Sequence, residues 1–208
     1  MNPLFGTIPA PKLMRNNFSL SHRNYMTMPQ HKLCVSMIKE VLPGDIFNIR
    51  LETFARVAPM VAPPLSSISL SHHAFYVPMR TLSKVWPDFI TGGREGNNTK
   101  VLPYTTIGQF RSVTSALYSA GKYQEAYDII RLLDFMGVNF DYPTNLSSVQ
   151  NFVASFNTLN SGLLNSTVPV NLAPFLAYQK IYDEYYRDQN LEASVMDSIR
   201  TWLAHITR

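Results

Sequence analysis

Residues 42–89, LPGDIFNIRLETFARVAPMVAPPLSSISLSHHAFYVPMRTLSKVWPDF, decide how the chain is to be read. Over 45–57 the side chains alternate: Phe47, Ile49, Leu51, Ala55 and Val57 fall on one face, Asn48, Arg50, Glu52 and Arg56 on the other. Strand side chains point to opposite faces with period two, so this pattern predicts a half-buried antiparallel strand. Residues 66–77 repeat it, with Ile68, Leu70, Ala74 and Tyr76 inward and Ser67, Ser69, Ser71 and His73 outward. Between the two lies APMVAPP, whose Pro59, Pro63 and Pro64 lack an N–H and cannot sit inside a central ladder. A short helix stopped by Pro87 follows. Two strands joined at a proline corner predict one wall of a β-sandwich or barrel.

Working outward, residues 32–39, KLCVSMIK, are a third strand candidate, with Leu33, Val35 and Met37 on one face. Before them, 1–31 hold Pro3, Pro9, Pro11 and Pro29 and no sustained period, which predicts an extended arm anchored by Phe5, Phe18, Leu20 and Tyr25. The net charge of +4 is concentrated there. Residues 1–39 carry Lys12, Arg15, Arg23, Lys32 and Lys39 with no Asp or Glu, while the rest of the chain sums to about −1. Cations interleaved with Phe18 and Tyr25 suit phosphate neutralisation without sequence reading, and equally a strap over a neighbouring subunit.

After 92–100, a polar turn-rich loop expected to tolerate insertion, the period becomes helical. Tyr123, Ala126, Tyr127, Ile130 and Leu133 predict a helix stopped at Gly137. Val149, Phe152, Val153, Phe156 and Leu159 predict another, capped from Thr144 or Ser147. In 171–190 Asn171 caps, Pro174 lies in the first turn, and Phe175, Tyr178, Tyr182 and Tyr185 form one stripe. Asp183 and Arg187 are an i,i+4 pair in the favourable order, worth a few tenths of a kcal/mol if exposed. Met196, Ile199, Trp202, Leu203 and Ile206 continue as an amphipathic segment.

Candidate chemistry is thin. The adjacent His72 and His73 would point to opposite strand faces and cannot easily grip one metal ion. Asp183, Glu184 and Asp188 could form an acid–base cluster, but Lys180 and Arg187 adjoin them and an ion network is the default. The lone Cys34 excludes an internal disulfide, and GGREG lacks the Lys-Ser/Thr of a P-loop. No apolar run approaches the ~18 residues of a membrane helix. No catalytic residue, cofactor or metal site is therefore expected. The tyrosine stripe could stack on bases, though such stripes more often pack.

The blocks LPGDIFNIRLETFARVAPMVAPP and HHAFYVPMRTLSKVWPDFITGG resemble the major capsid protein of microviruses, above all its gokushovirus and prophage-like branches. NNFSLSHRNYMTM near the start and NLAPFLAYQKIYDEYYRDQNL at 171–191 agree with that resemblance, in the family's order. It implies a mainly β protein, an antiparallel viral jelly roll with large helical insertions, of which this chain would hold about three strands and several helices. Because a jelly roll needs about eight strands, the chain is expected to be an N-terminal portion of a longer protein, or to find its other strands elsewhere. The implied layout is an arm over 1–31, first strands and short helix over 32–91, an insertion over 92–170, and a helical segment over 171–208.

The implied role is structural: a virion subunit, made in the bacterial host cytoplasm, closing with copies of itself into an icosahedral shell. Its partners would be those copies, packaged single-stranded DNA, and other virion or scaffolding proteins, with no membrane. On this reading Lys12, Arg15, Arg23 and Lys32 face nucleic acid, while Phe175, Tyr178, Tyr182, Tyr185, Asp183 and Arg187 pack or form a subunit interface. The competing readings are a monomeric single-stranded nucleic-acid-binding module using arm and tyrosines, and a degraded enzyme domain.

Overall fold

Three helices hold the apolar core, and the sequence accounts for their ends. The computed structural model describes residues 14, 16–62, 65–97, 99–161 and 167–194. The chain divides into two units, Met1–Leu33 and Cys34–Arg208, and every element below belongs to the second. In chain order these are α1 (Met79–Leu82), α2 (Trp86–Thr91), β1 (Tyr104–Thr106), α3 (Ile107–Ser119), α4 (Tyr123–Phe135), α5 (Val149–Leu159), β2 (Pro169–Asn171) and α6 (Ala173–Ile181). A π-helical turn, Tyr182–Tyr186, continues α6.

α3 starts at a capping box. The Thr106 hydroxyl accepts from Gln109 N–H, and Gln109 Oε1 accepts from Thr106 N–H, both at 3.3 Å. Two donors that an α-helix leaves without partners are satisfied at once. Ser148 caps α5, its Oγ accepting from Asn151 N–H at 3.1 Å, one residue beyond the expected Ser147. α4 ends where Gly137 takes a positive φ of 71° and Val138 N–H returns to Leu133 O at 3.1 Å, a left-handed stop that glycine adopts without steric cost.

α3, α4 and α5 pack together around Ala126, Ile130, Leu133, Phe152, Val153 and Phe156. The spacing of these residues is helical on both α4 and α5, so one stripe of each faces the other. Tyr127 meets Phe152 edge-on at 5.0 Å and Phe140 meets Phe156 at 5.4 Å, the arrangement aromatic quadrupoles favour. Two amide clusters, one partly and one fully buried, fix the register. Thr114 Oγ1 donates to Asn157 Oδ1 at 2.7 Å and Arg111 Nε to Asn157 O at 2.7 Å, joining α3 to α5. Asn160, fully buried, accepts from Asp141 N–H and donates to the carbonyls of Asp141 and Phe156, at 2.9–3.0 Å. Each buried polar atom here has a partner, so the cost of desolvating it is offset.

The expectation of a mainly β chain is overturned. Among the described residues the strands are β1 and β2, three residues each, paired antiparallel with Tyr104 opposite Asn171 and Thr106 opposite Pro169. Residues 32–39, 45–57 and 66–77 form no ladder; the last two meet through Thr53 Oγ1 and His72 Nε2 at 2.8 Å. The predicted inner faces of 45–57 and 66–77 are open to water, Leu51 being 54% exposed, while Leu33 and Val35 of 32–39 are half-buried. Alternation is a local property, whereas a ladder needs a second strand to receive its N–H and C=O groups. Helices close their hydrogen bonds locally, so the body of this chain is built from them. At 73–76 His73 is exposed as expected, but the residues expected inward, Ala74 and Tyr76, are exposed too, while Phe75 between them is half-buried. The GGREG turn is tighter than its composition suggested. Gly92 has a φ of 75°, and a Cβ there would lie 3.0 Å from Gly96 O. The amphipathic segment from Met196 to Ile206 lies outside the described residues.

Candidate interaction surface

α6 begins one residue past the expected cap: its N-cap is Leu172, which makes no side-chain capping bond. Asn171 Oδ1 accepts from Ala173 N–H at 2.9 Å and Pro174 sits in the first turn, where no amide is needed. The aromatic stripe then departs from a single line. Phe175 packs on Phe110 of α3, ring centroids 5.3 Å apart. Tyr178 is half-buried, and that burial, with negative charge from Cys34, Tyr182 and Asp128, lifts its phenol above the ordinary 10.0. Tyr182 donates its hydroxyl to Glu192 Oε2 at 2.8 Å, and this hydrogen bond raises its pKa as well. Past Tyr182 the backbone is wound as a π-helix, and Tyr185 and Tyr186 both turn toward residues 73–75. Phe75 lies 5.0 Å from the Tyr185 ring, and His73 stacks on Tyr186 with Nδ1 hydrogen-bonded to its hydroxyl.

Because the folded pKa values of Tyr178 and Tyr182 are raised, their contribution to stability is complete below pH 10.0 and lost as pH climbs through the raised values. A tyrosinate absorbance titration should show late-ionising phenols, one of which disappears in Tyr182→Phe. A titration unchanged by that substitution would contradict the Tyr182–Glu192 bond.

Asp183 and Arg187 are not the solvated pair that their spacing alone implied. Arg187 Nε approaches Asp183 Oδ1 at 2.6 Å with the side chains only 12% and 17% exposed. The contact is a charge–charge approach outside good hydrogen-bond alignment. Ser194 Oγ donates to Asp183 Oδ2 at 2.7 Å, and Arg187 Nη1 donates to Glu192 O at 2.6 Å. Asp188 closes the intervening turn by accepting from Asn190 N–H at 2.9 Å. The three carboxylates do not converge: Asp183 serves Arg187, Glu184 pairs with Lys180 at 3.2 Å, and Asp188 serves its own turn. His72 and His73 likewise turn to different partners, Thr53 and Tyr186. Among the described residues no three His, Cys, Asp or Glu side chains come together as metal ligands, and no helix is long and apolar enough to cross a membrane.

The largest chemical anomaly lies in the extended segment. Ile46, Phe47, Ile49, Leu51, Phe54, Val57, Met60, Val61, Leu65, Ile68 and Leu70 are all exposed, Phe54 at 93%. Monomeric proteins rarely expose apolar side chains in such a contiguous run. Of the arm cations, Arg23 and Lys32 are exposed, while Lys12 and Arg15 lie outside the described residues.

Residues 6–116 match the family described as "Capsid protein (F protein)", more than half of the chain. The chain belongs to this capsid-protein family. It is 28% identical over 197 residues to capsid protein VP1 of Chlamydia phage 1, covering 94% of this chain and 28% of that protein. It is 26% identical over 187 residues to capsid protein VP1 of Bdellovibrio phage phiMH2K, covering 90% of this chain and again 28% of the relative. The chain thus spans little more than a quarter of the length of these relatives. No solved structure matches it. The resemblance to microvirus capsid proteins read from the sequence is borne out.

Within this capsid-protein chain, two of the motif blocks that carried the resemblance meet in space. His73 and Phe75 of HHAFYVP pack on Tyr185 and Tyr186 of IYDEYYRDQN. The π-helical turn had no announcing signal, since 182–186 contain neither Gly nor Pro. α3 did have one: Thr106 and Gln109 stand at capping-box spacing. The half-buried Asn157 and the buried Asn160 carried no signal beyond being polar residues in and just after a helix with an apolar face.

Proposed function

We propose that this chain acts as a capsid subunit that builds a phage shell with other copies of itself, using the exposed extended segment 46–70 as a contact surface. The observation that carries this reading is that segment: a run of large apolar side chains facing water, on backbone without a ladder, in a member of a capsid-protein family. Surfaces of this kind are covered in obligate assemblies, whose interfaces resemble a core cut in two. The work is structural, with no catalytic step. Its place is the virion, after assembly in the host cytoplasm. A monomeric base-stacking module has less support, because Phe175 is engaged by Phe110, Tyr178 is half-buried and Tyr182 is bonded to Glu192, which leaves Tyr185 as the exposed ring of the stripe. Sedimentation velocity and electron microscopy should find large closed or sheet-like assemblies at micromolar concentration. A monomer that binds single-stranded DNA and never self-associates would replace this reading with the module.

The arm is proposed to hold the packaged DNA by charge. Lys12, Arg15, Arg23 and Lys32 are four cations with no nearby acid in sequence. Counterion release on single strands gives a log–log salt slope of about −0.7 per phosphate, so at most about −3 here. Binding by one arm should be weak and become strong where many arms line one shell. Deleting residues 1–30 should yield assemblies that retain DNA poorly and lose this salt dependence. Assembly that fails outright, with an arm peptide showing no salt-dependent binding, would make the arm a strap between subunits.

A further inference from the structure

The turn Tyr182–Tyr186 is wound one residue wider than an α-helix, with Arg187 N–H bonded to Tyr182 O at 2.9 Å, five residues back. π-turns are rare and concentrate at functional sites. No proline or glycine forces this one, so it is held by the side chains around it. Arg187 reaches both Asp183 and Glu192 O, Ser194 reaches Asp183, and Tyr182 reaches Glu192. These contacts bind the turn to the loop that follows it.

The winding has a geometric consequence. It places the consecutive residues Tyr185 and Tyr186 against Phe75 and His73, which join the extended segment to the helical body. Successive residues of an α-helix are about 100° apart, so rewinding the turn with one residue fewer swings both tyrosines off that contact. Residues 66–77 make no ladder, and besides this contact they are tied to the body through the following α1, which packs on α6.

We propose that Tyr182–Tyr186 is a latch: kept π-wound by the Arg187–Asp183 clamp, it fastens residues 73–75 to the helical body, and rewinding to α-helix releases them. Interconversion between two windings of one short turn is a bistable element of the kind that conformational switches use. The latch sets where the apolar segment leaves the body, so it acts whatever covers that segment.

Hydroxyl-radical footprinting of the 208-residue chain, kept dilute enough to sediment as a monomer and read by peptide mass spectrometry, tests this with internal standards. Phe54, 93% exposed, gives the free rate, and Phe152, 4% exposed, reports the bundle. Half-buried Phe75 is the readout. Deleting Glu184 removes the extra residue and also shortens the Asp183–Arg187 spacing from four residues to three, so it changes the winding and the clamp together. Arg187→Met removes the clamp and keeps the bulk. In both variants Phe75 should lose its protection and approach the rate of Phe54, with Phe152 still protected; Lys180→Gln should leave Phe75 protected. If the deletion also exposes Phe152, Arg187→Met decides by the same criterion. Phe75 still protected in a variant with an intact bundle, or already as reactive as Phe54 in the unaltered chain, overturns the latch.

Discussion

Phe156→Ala should destabilise the helical body by about 3–5 kcal/mol, whereas Leu51→Asp should leave its melting unchanged. Phe156 is fully buried, meets Phe140 edge-on at 5.4 Å, and belongs to the cluster built by Ala126, Ile130, Leu133, Phe152 and Val153. Truncating it removes a large transfer term and leaves a cavity in a core too well packed to collapse freely. A loss of that size is comparable with the whole stability of a small domain, so the helical circular-dichroism signal should be largely lost at room temperature. Leu51 is 54% exposed, and a carboxylate there stays hydrated, so no desolvation cost arises within the chain. The period-two pattern alone predicts the reverse ranking. A Leu51→Asp chain without helical signal would show that the extended segment, and not α3–α5, holds the core.

That reversal marks what a sequence of this kind discloses. α4 and α5 were legible because their apolar residues repeat at three and four, and both helices close their hydrogen bonds within that same stretch. α3 was harder, because its buried face carries Thr114, a residue whose burial makes sense only once Asn157 is seen beside it. The extended stretches were read correctly as alternating and wrongly as paired. Whether such a stretch becomes a ladder depends on residues far away or on another chain, and no local pattern carries that information. The resemblance identified the family, and the fold drawn from it did not describe how this chain packs. At the candidate surface, the basic arm was visible as charge, whereas the Asp183–Arg187 pair looked like a surface ion pair. Its withdrawal from water follows from a loop that returns Glu192 and Ser194 to it, a tertiary event the i,i+4 spacing does not reveal.

The combined substitution Ile49→Ser, Leu51→Ser, Phe54→Ser should abolish self-association while leaving the melt of the helical body unchanged. All three side chains are more than half exposed, so none contributes to the core around Phe156. If copies of the chain cover this segment, each large apolar side chain is worth about 2 kcal/mol at the contact, and losing three removes about 6 kcal/mol. At 1.4 kcal/mol per decade this is roughly a ten-thousandfold loss in association constant, enough to turn micromolar assembly into a monomer at any workable concentration. Glu52→Lys, on the same segment, is the matching control for charge. Glu52 pairs with Arg50 at 3.0 Å while both remain more than three-quarters exposed, and pairs of that kind contribute at most about 1 kcal/mol. The charge reversal should therefore alter the salt dependence of assembly far more than its extent. Assembly of the triple variant at wild-type concentration would move the contact surface off the extended segment, leaving its exposed apolar run without the role proposed for it.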